Sequence, residues 1–155
     1  MSDGIVFDGG TDADGKRLLE LHHAYLEANA TFDVPPLRKI WSTDPSAVFF
    51  NLNGHTYVVV EHWARLCEYY GKRLQTCLWT ATDVKVMVRG DMAVITCHRL
   101  SPVKWVGPES EPATYRDQPR RRSRSTMVFA REGGDWRVVH THFSEASNDA
   151  RPGNI

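Results

Sequence analysis

The spacing of the apolar residues changes along the chain, and this change constrains the fold more than any other feature. Up to residue 71 they recur every three or four positions, as in Leu18, Leu21 and Tyr25, which is the repeat of one helix face. From residue 77 the repeat changes to two, with every second residue apolar over 84–88 and 93–97, which is the repeat of a strand with one buried face. Helices followed by antiparallel strands are the order of an α+β domain, in which the helices pack on one face of the sheet.

Three helices are predicted in the first half of the chain. The first begins at the capping pair Thr11 and Asp14 and runs to about residue 30. The second follows Asp33, with two prolines in its first turn. The third covers about residues 59–70 and ends at Gly71, a residue type that is common just beyond a helix C-terminus.

The remaining apolar segments predict one short strand and two hairpins. The short strand covers 47–50 and is closed by an Asn-Gly turn. The first hairpin joins 84–88 to 93–97, and the second joins 124–131 to 136–144.

The chain is expected to form one domain between two loose ends. Residues 1–10 are rich in Gly and Asp and are predicted to be a flexible tail, as are residues 146–155. Residues 11–145 are predicted to form the single domain. Segment 102–121 holds four of the eight prolines, and we expect a long loop there because the strand pattern resumes after it.

Composition excludes several classes of partner. The 155 residues contain 19 Lys and Arg and 19 Asp and Glu, so no overall charge favours nucleic acid or an acidic membrane. The dense basic run 120–124 has no interleaved aromatic residues, and we interpret it as the charged flank of an exposed strand edge. No apolar run reaches the ~20 residues that span a bilayer, and the first residues lack the pattern of a signal peptide. Three cysteines without a Cys-x-x-Cys motif predict reduced thiols in a cytoplasmic protein.

Three stretches of the second half resemble a known superfamily. They are 90–95 leading to Arg99, then 123–131, and finally 134–144, which reads G-x-W-x-x-x-H-x-H-x-S. With the element order, they make the chain similar to the nuclear transport factor 2-like superfamily and its SnoaL-like group. Within it, the nearest resemblance is to the association domain of calcium/calmodulin-dependent protein kinase II, over roughly residues 14–145.

The resemblance implies a specific architecture. This is a cone-shaped α+β barrel in which three N-terminal helices pack on a curved antiparallel sheet. It implies a small-molecule pocket between the helices and the concave face of the sheet, and a homodimer formed through the sheet. Because such folds serve enzymes, carriers and assembly modules alike, the fold does not define the function.

Arg99 is the first candidate for a ligand contact. A guanidinium on a strand of small and β-branched residues is costly to bury unless it meets an anion, and its planar fork suits a carboxylate. The position matches a pocket arginine of the association domain, whereas Met127 and Phe143 replace two other arginines of that pocket. The alternative is a salt bridge between Arg99 and a nearby Asp or Glu. Further candidate lining residues are the following: Asn51, Trp63, Met127, Phe129 and Phe143.

Proton transfer is assigned to three candidates. His140 and His142 are two residues apart and would share one face of a regular strand with Trp136. Tyr25 lies where the related ketosteroid isomerases carry an oxyanion-hole tyrosine, but Asn51 stands at the position of their catalytic base. The alternatives are structural histidines, a Tyr25 that belongs to the pocket wall or core, and a metal site completed by a third histidine.

Three functions remain open from the sequence. The first is a small-molecule-binding protein, with a possible acid/base reaction of the isomerase, cyclase or dehydratase type on an apolar or carboxylate-bearing metabolite. The second is a non-catalytic association module. The third is a metal enzyme in which His55 or His98 joins His140 and His142. No cofactor is predicted, because no P-loop, G-x-G-x-x-G or H-E-x-x-H motif is found.

Overall fold

The computed structural model describes residues 4–111 and 119–147. Three helices and nine strands are assigned within them. The helices are α1 (Asp12–Thr31), α2 (Val34–Ile40) and α3 (Val59–Gly71). The strands are β1 (Val6–Asp8), β2 (Val48–Phe50), β3 (Thr56–Val58), β4 (Leu74–Thr76), β5 (Thr80–Arg89), β6 (Met92–Leu100), β7 (Val103–Trp105), β8 (Arg122–Glu132) and β9 (Asp135–Glu145).

Seven strands form one curved sheet in the order β1-β5-β6-β8-β9-β2-β3. The long strands β5, β6, β8 and β9 are antiparallel neighbours, as the two predicted hairpins require. β1 pairs in parallel with β5, and β2 pairs in parallel with β9. Neither short strand belongs to one of the two predicted hairpins. The α+β cone is therefore confirmed, but its sheet is mixed and open rather than antiparallel and closed.

Helix α1 begins as the sequence predicts. The Thr11 hydroxyl accepts a hydrogen bond from the Asp14 amide at 3.2 Å, and the Asp14 carboxylate accepts one from the Thr11 amide at 3.1 Å. This reciprocal cap fixes the start of the helix. From there, Leu18 and Tyr25 fall on the buried face, so Tyr25 points toward the inside of the sheet.

An aromatic cluster joins the helices to the sheet. The ring centroids of Trp41 and Phe49 are 4.3 Å apart, and those of Trp41 and Trp63 are 5.2 Å apart. All three side chains are buried. The first pair is edge-to-face and the second is tilted, and aromatic contacts of this kind add to the apolar burial, so the cluster anchors α3 against β2.

A β-bulge in β9 changes which side chains face inward. Val128 pairs with His140 and Phe129 with Val138, so Val139 has no counterpart in β8. Trp136 and Val138 point into the core, and one extra residue then shifts the alternation, so that Thr141 and Phe143 are buried. His140 and His142 would share a face with Trp136 only on a regular strand, and the bulge places them on the opposite face.

Short elements that lack a strong pattern account for the other differences. β1 lies inside the predicted N-terminal tail, so the flexible-tail prediction does not hold for Val6–Asp8. β7, within the predicted loop 102–121, pairs with β4 in a separate two-stranded sheet. α3 continues through Gly71, and its C-cap Lys72 is right-handed at φ −94°.

Parts of the predicted loop and of the C-terminal tail, 112–118 and 148–155, lie outside the described residues. Among the residues that are described, no helix combines the length and the apolar composition needed to cross a membrane.

Candidate functional site

A cavity lies where α1 and α3 cover one end of the concave sheet face. Its volume is about 40 Å³, which exceeds the roughly 10–15 Å³ that one water molecule requires. Helix α1 contributes Tyr25 and Asn29, and helix α3 contributes Trp63. The sheet contributes Arg99 from β6 and Phe143 from β9. Further lining residues are Phe32, Asn51, Leu52, Leu66, Cys67, Tyr70, Leu74, Trp79, Ser101, Val103 and Arg121.

Arg99 is a buried cation of this cavity wall. Its residue is only 4% exposed. Nη1 donates a hydrogen bond to the Tyr25 hydroxyl at 3.2 Å, and Nε donates one to the Ser123 hydroxyl at 3.3 Å. The guanidinium carbon lies 4.1 Å from the ring centroid of Phe143 and 5.5 Å from that of Trp79. Neutral hydroxyls and aromatic faces thus surround a full positive charge.

No carboxylate neutralises Arg99 within residues 4–111 and 119–147. Every ion pair found there, with N and O atoms within 4.0 Å, joins other residues. The predicted alternative of a salt bridge between Arg99 and a nearby acid is therefore not formed in this part of the chain. A buried charge without a counter-ion is unfavourable by several kcal/mol, so this position has a physical reason to accept an anion.

Hydrogen-bond donors dominate the polar groups of the lining. The indole nitrogens of Trp63 and Trp79 are buried and have no acceptor among the described residues. The Tyr25 hydroxyl accepts from Arg99, which leaves its own hydrogen available. Asn29 uses its amide group to donate to the Tyr25 carbonyl at 2.9 Å, so its side-chain oxygen stays available as an acceptor. The site therefore suits a ligand with several acceptor atoms.

Two acidic groups of the lining, Tyr25 and Cys67, keep their protons at neutral pH. Burial raises the pKa of Tyr25 to about 12, although the neighbouring Arg99 opposes the shift. Burial also raises the pKa of the Cys67 thiol to about 12. No imidazole or carboxylate lines the cavity among the described residues. The wall can donate a proton or polarise a carbonyl, but it lacks a group that removes a proton near pH 7.

His22 is the imidazole buried beside this wall. It lies one turn before Tyr25 on α1, and its Nε2 is 3.8 Å from the Cys97 sulfur. Burial, followed by the nearby charge of Arg99, lowers the pKa of His22 to about 4, so the ring is neutral at physiological pH. It is not a lining residue of the cavity.

The predicted catalytic histidines lie on the opposite face of the sheet. His140 donates a hydrogen bond from Nδ1 to the Val48 carbonyl oxygen at 2.7 Å, because a carbonyl can only accept. The ring of Phe50 packs edge-on at 5.1 Å from His140 and 5.6 Å from His142. The structure therefore does not bring either histidine together with Arg99 and Tyr25.

The described residues contain no group of three or more His, Cys, Asp or Glu side chains placed to hold a metal ion. His98 lies 2.9 Å from the carboxylate of Asp83, and this pair includes no second histidine. The metal-enzyme hypothesis thus finds no assembled ligand set in the part of the chain that the structure describes.

The predicted ligand contacts divide into two groups. Asn51, Trp63 and Phe143 line the cavity with Arg99. Met127 and Phe129 point to the same side of the sheet but are fully buried in the core and do not reach the cavity.

Sequence reasoning missed several lining residues, above all Arg121. Its place in the basic run 120–124 predicts an exposed side chain, yet the side chain is buried. Arg121 lies two residues before the buried Ser123, so the strand repeat of two was the available signal. Asn29 had a similar signal, since it lies one turn beyond Tyr25 on the same helix face.

Solved structures with this fold are numerous. A nuclear transport factor 2-like superfamily protein from Salmonella enterica serovar Typhimurium is 16% identical, with a TM-score of 0.72 over 94% of this chain and 100% of that one. A proposed dehydratase of the NTF2-like family from Streptomyces avermitilis is 21% identical, with a TM-score of 0.69 over 88% and 99%. A proposed aromatic ring hydroxylase from Novosphingobium aromaticivorans is 15% identical, with a TM-score of 0.69 over 90% and 93%.

At these identities the similarities show the fold alone. No curated protein sequence matches the chain. Residues 18–148, however, match the family described as SnoaL-like domain, which covers most of the chain. The protein therefore belongs to the SnoaL-like domain family and has the nuclear transport factor 2-like fold.

Proposed function

We propose that the protein binds a small organic acid of the cytoplasm in the cavity at Arg99. The observation that carries this proposal is the buried guanidinium, which has hydroxyl and aromatic neighbours but no carboxylate among the described residues. A ligand carboxylate would supply the missing negative charge. Its apolar part would pack against the rings of Trp63 and Phe143.

The chemistry of the wall supports an acid over other ligands. Arginine forms charge-assisted hydrogen bonds with carboxylates, and these are about twice as strong as neutral ones. The available hydrogens of Tyr25 and of the indoles of Trp63 and Trp79 add donors for the same oxygen atoms. A cationic ligand would instead meet like charge and unpaired donors, so the wall disfavours it.

The geometry supports binding more strongly than acid/base catalysis. Tyr25 and Arg99 can polarise a carbonyl or carboxyl oxygen of the ligand. Proton removal needs a base within hydrogen-bond reach, and the described lining offers none. An isomerase, cyclase or dehydratase reaction in this cavity would therefore require a base from outside the described lining, such as a group on the ligand itself.

A thermal-shift titration with acetate, butanoate and benzoate tests the proposal. A ligand at 100 times its Kd increases the free energy of unfolding by about 2.7 kcal/mol, which raises Tm by about 5–10 °C for a chain of this size. The shift should disappear in Arg99→Gln. It should persist in Arg89→Gln, which removes the same charge at the far end of β5. If Arg99→Gln keeps the full shift, or no acid shifts the wild type, the proposal is wrong.

We also propose that the protein forms a homodimer through the outer face of the sheet. Four apolar side chains on this face are 38–45% exposed: Phe50, Val58, Met92 and Leu100. Phe50 and Val58 lie on the neighbouring strands β2 and β3, whereas Met92 and Leu100 lie at the two ends of β6, so the exposed apolar groups are spread across the face. The resemblance to the association domain of the kinase points the same way, and a dimer without a ligand would be the association module.

Light scattering after gel filtration tests the dimer. Phe50→Lys places a charge in the apolar face, so we expect this variant to be monomeric at concentrations where the wild type is dimeric. Leu78→Lys is the matched control, because Leu78 is exposed but lies between β4 and β5, away from the sheet face. A monomeric wild type would contradict this proposal and leave the proposed ligand cavity unaffected.

A further inference from the structure

Asn29 places a buried amide in the wall of the cavity at Arg99. It lies one turn beyond Tyr25 on α1, and its residue is only 3% exposed. Leu18, Leu21 and Tyr25 precede it on the buried side of the helix. Asparagine is a weak helix former, and burying its amide is unfavourable unless the polar atoms find partners. A leucine would suit this position better, so the fold alone does not account for the asparagine.

The two polar atoms of this amide differ in their contacts. Nδ2 donates a hydrogen bond to the Tyr25 carbonyl at 2.9 Å. Because a carbonyl can only accept, this bond also establishes which end of the amide carries the oxygen. No hydrogen bond to Asn29 Oδ1 is found within residues 4–111 and 119–147. The wall of the cavity therefore holds a buried acceptor that lacks a donor in the described part of the chain.

The carboxylate of the proposed ligand cannot supply that donor. Its oxygen atoms accept from Arg99 and Tyr25, and a hydrocarbon tail carries no polar hydrogen. A simple monocarboxylate would thus separate Asn29 Oδ1 from water and leave it without a partner, which is unfavourable. A hydroxyl group on the ligand donates without adding charge, whereas an ammonium group would add positive charge beside Arg99.

We infer that Asn29 is a specificity-determining residue and that the preferred ligand is a hydroxy acid. Its carboxylate pairs with Arg99, and its hydroxyl donates to Asn29 Oδ1. A hydroxyl also accepts hydrogen bonds, which suits a wall in which the buried Nε1 of Trp63 has no acceptor among the described residues. This inference rests on the proposed binding of an organic acid and specifies its class.

Isothermal titration at neutral pH with four related acids tests the inference. Butanoate is compared with its 2-, 3- and 4-hydroxy derivatives, because the position of the hydroxyl along the chain decides whether it reaches Asn29. We expect the wild type to bind at least one hydroxy acid about two- to tenfold more tightly than butanoate, the gain from one hydrogen bond between neutral groups. Asn29→Leu should lose this preference. It should bind butanoate at least as tightly as the wild type does, because no acceptor is then left unpaired.

Thr31→Val is the matched control variant. The Thr31 hydroxyl also donates to the carbonyl four residues earlier, that of Glu27, at 3.2 Å, but Thr31 lies on the exposed side of the same helix. We therefore expect Thr31→Val to keep the preference for the hydroxy acid. Loss of the preference in this variant would show that the effect of Asn29→Leu comes from the helix, and would overturn the inference.

A second comparison uses the wild type alone and remains decisive if Asn29→Leu fails to fold. The preferred hydroxy acid is replaced by the butanoate that carries fluorine at the same carbon. Fluorine is similar in size to a hydroxyl group but has no hydrogen to donate, so we expect this acid to bind no more tightly than butanoate. A fluoro acid that binds as tightly as the hydroxy acid would refute donation to Asn29.

The two proposals fail in different ways. If the wild type binds butanoate through Arg99 but none of the hydroxy acids more than about twofold better, or if Asn29→Leu retains the preference, only the role of Asn29 is wrong. If the wild type binds none of the four acids, both proposals are wrong.

Discussion

Replacing Arg99 with methionine should stabilise the ligand-free protein while removing its affinity for carboxylates. Methionine is flexible and apolar and can fill the space of the arginine side chain. The substitution removes a buried charge that has no carboxylate partner among the described residues. Groups kept for binding commonly carry such a stability penalty, because their partner is absent from the free protein.

The magnitude follows from the contacts of the guanidinium. Burying a charge costs several kcal/mol. The two hydrogen bonds to Tyr25 and Ser123 offset this cost by about 1.5 kcal/mol each. The contact with the ring of Phe143 offsets about 1–2 kcal/mol more. These terms nearly cancel, whereas the methionine gains about 1–2 kcal/mol from apolar burial. A net gain of about 1 kcal/mol raises Tm by about 2–4 °C.

Urea unfolding of the wild type, Arg99→Met and Arg89→Met measures this difference. Arg89→Met should change stability little, because Arg89 is an exposed residue in a surface ion pair. With a saturating acid, the order should reverse, since only the wild type gains stability from the ligand. If Arg99→Met is less stable than the wild type by more than about 1 kcal/mol without ligand, the guanidinium is compensated within the fold and the reasoning is refuted.

Three further predictions concern stability. Thr11→Ala removes the helix cap and should cost about 1 kcal/mol in urea unfolding; an unchanged midpoint would contradict the role of the cap. The pKa of His22 is about 4 when folded and about 6.5 when unfolded, so the unfolded chain binds the proton more readily. Its contribution to stability is therefore complete above pH 6.5 and is lost as pH falls toward 4, and unfolding curves of His22→Gln should lack this loss. Gly10→Ala should destabilise more than Gly90→Ala by thermal unfolding: both have positive φ, but only at Gly10 would a Cβ lie 2.8 Å from Val88; equal losses would refute the steric argument.

Strong local patterns made most of the fold predictable. The cap at Thr11 and Asp14 involves neighbours three residues apart, so the chain itself specifies it. β5 alternates over Val84–Val88 and β6 alternates over its nine residues, which is enough to define their inward faces and the inward position of Arg99. Tyr25 was predictable for the same reason, from the helical repeat of α1.

Features set by tertiary pairing were not predictable. β1, β4 and β7 have three residues each, and such segments become strands only because a neighbour pairs with them. No residue type in the sequence marks the bulge at Val139, because Val is equally common in regular strands. The sequence therefore does not determine which face of the sheet His140 and His142 occupy. The burial of Arg121 was not predictable because a charged residue in a basic run is expected at the surface. In the structure its side chain is buried in the lining of the cavity.

The bulge in β9 affects the curvature of the sheet without deciding which side chains form its inner surface. Since Val139 is the extra residue, a chain lacking it could pair regularly and still present Trp136, Val138, Thr141 and Phe143 to the same side. What such a deletion would remove is the local bend and added twist that a bulge introduces. A one-residue deletion therefore offers a way to alter the contour of the cavity while every side chain in its wall stays the same.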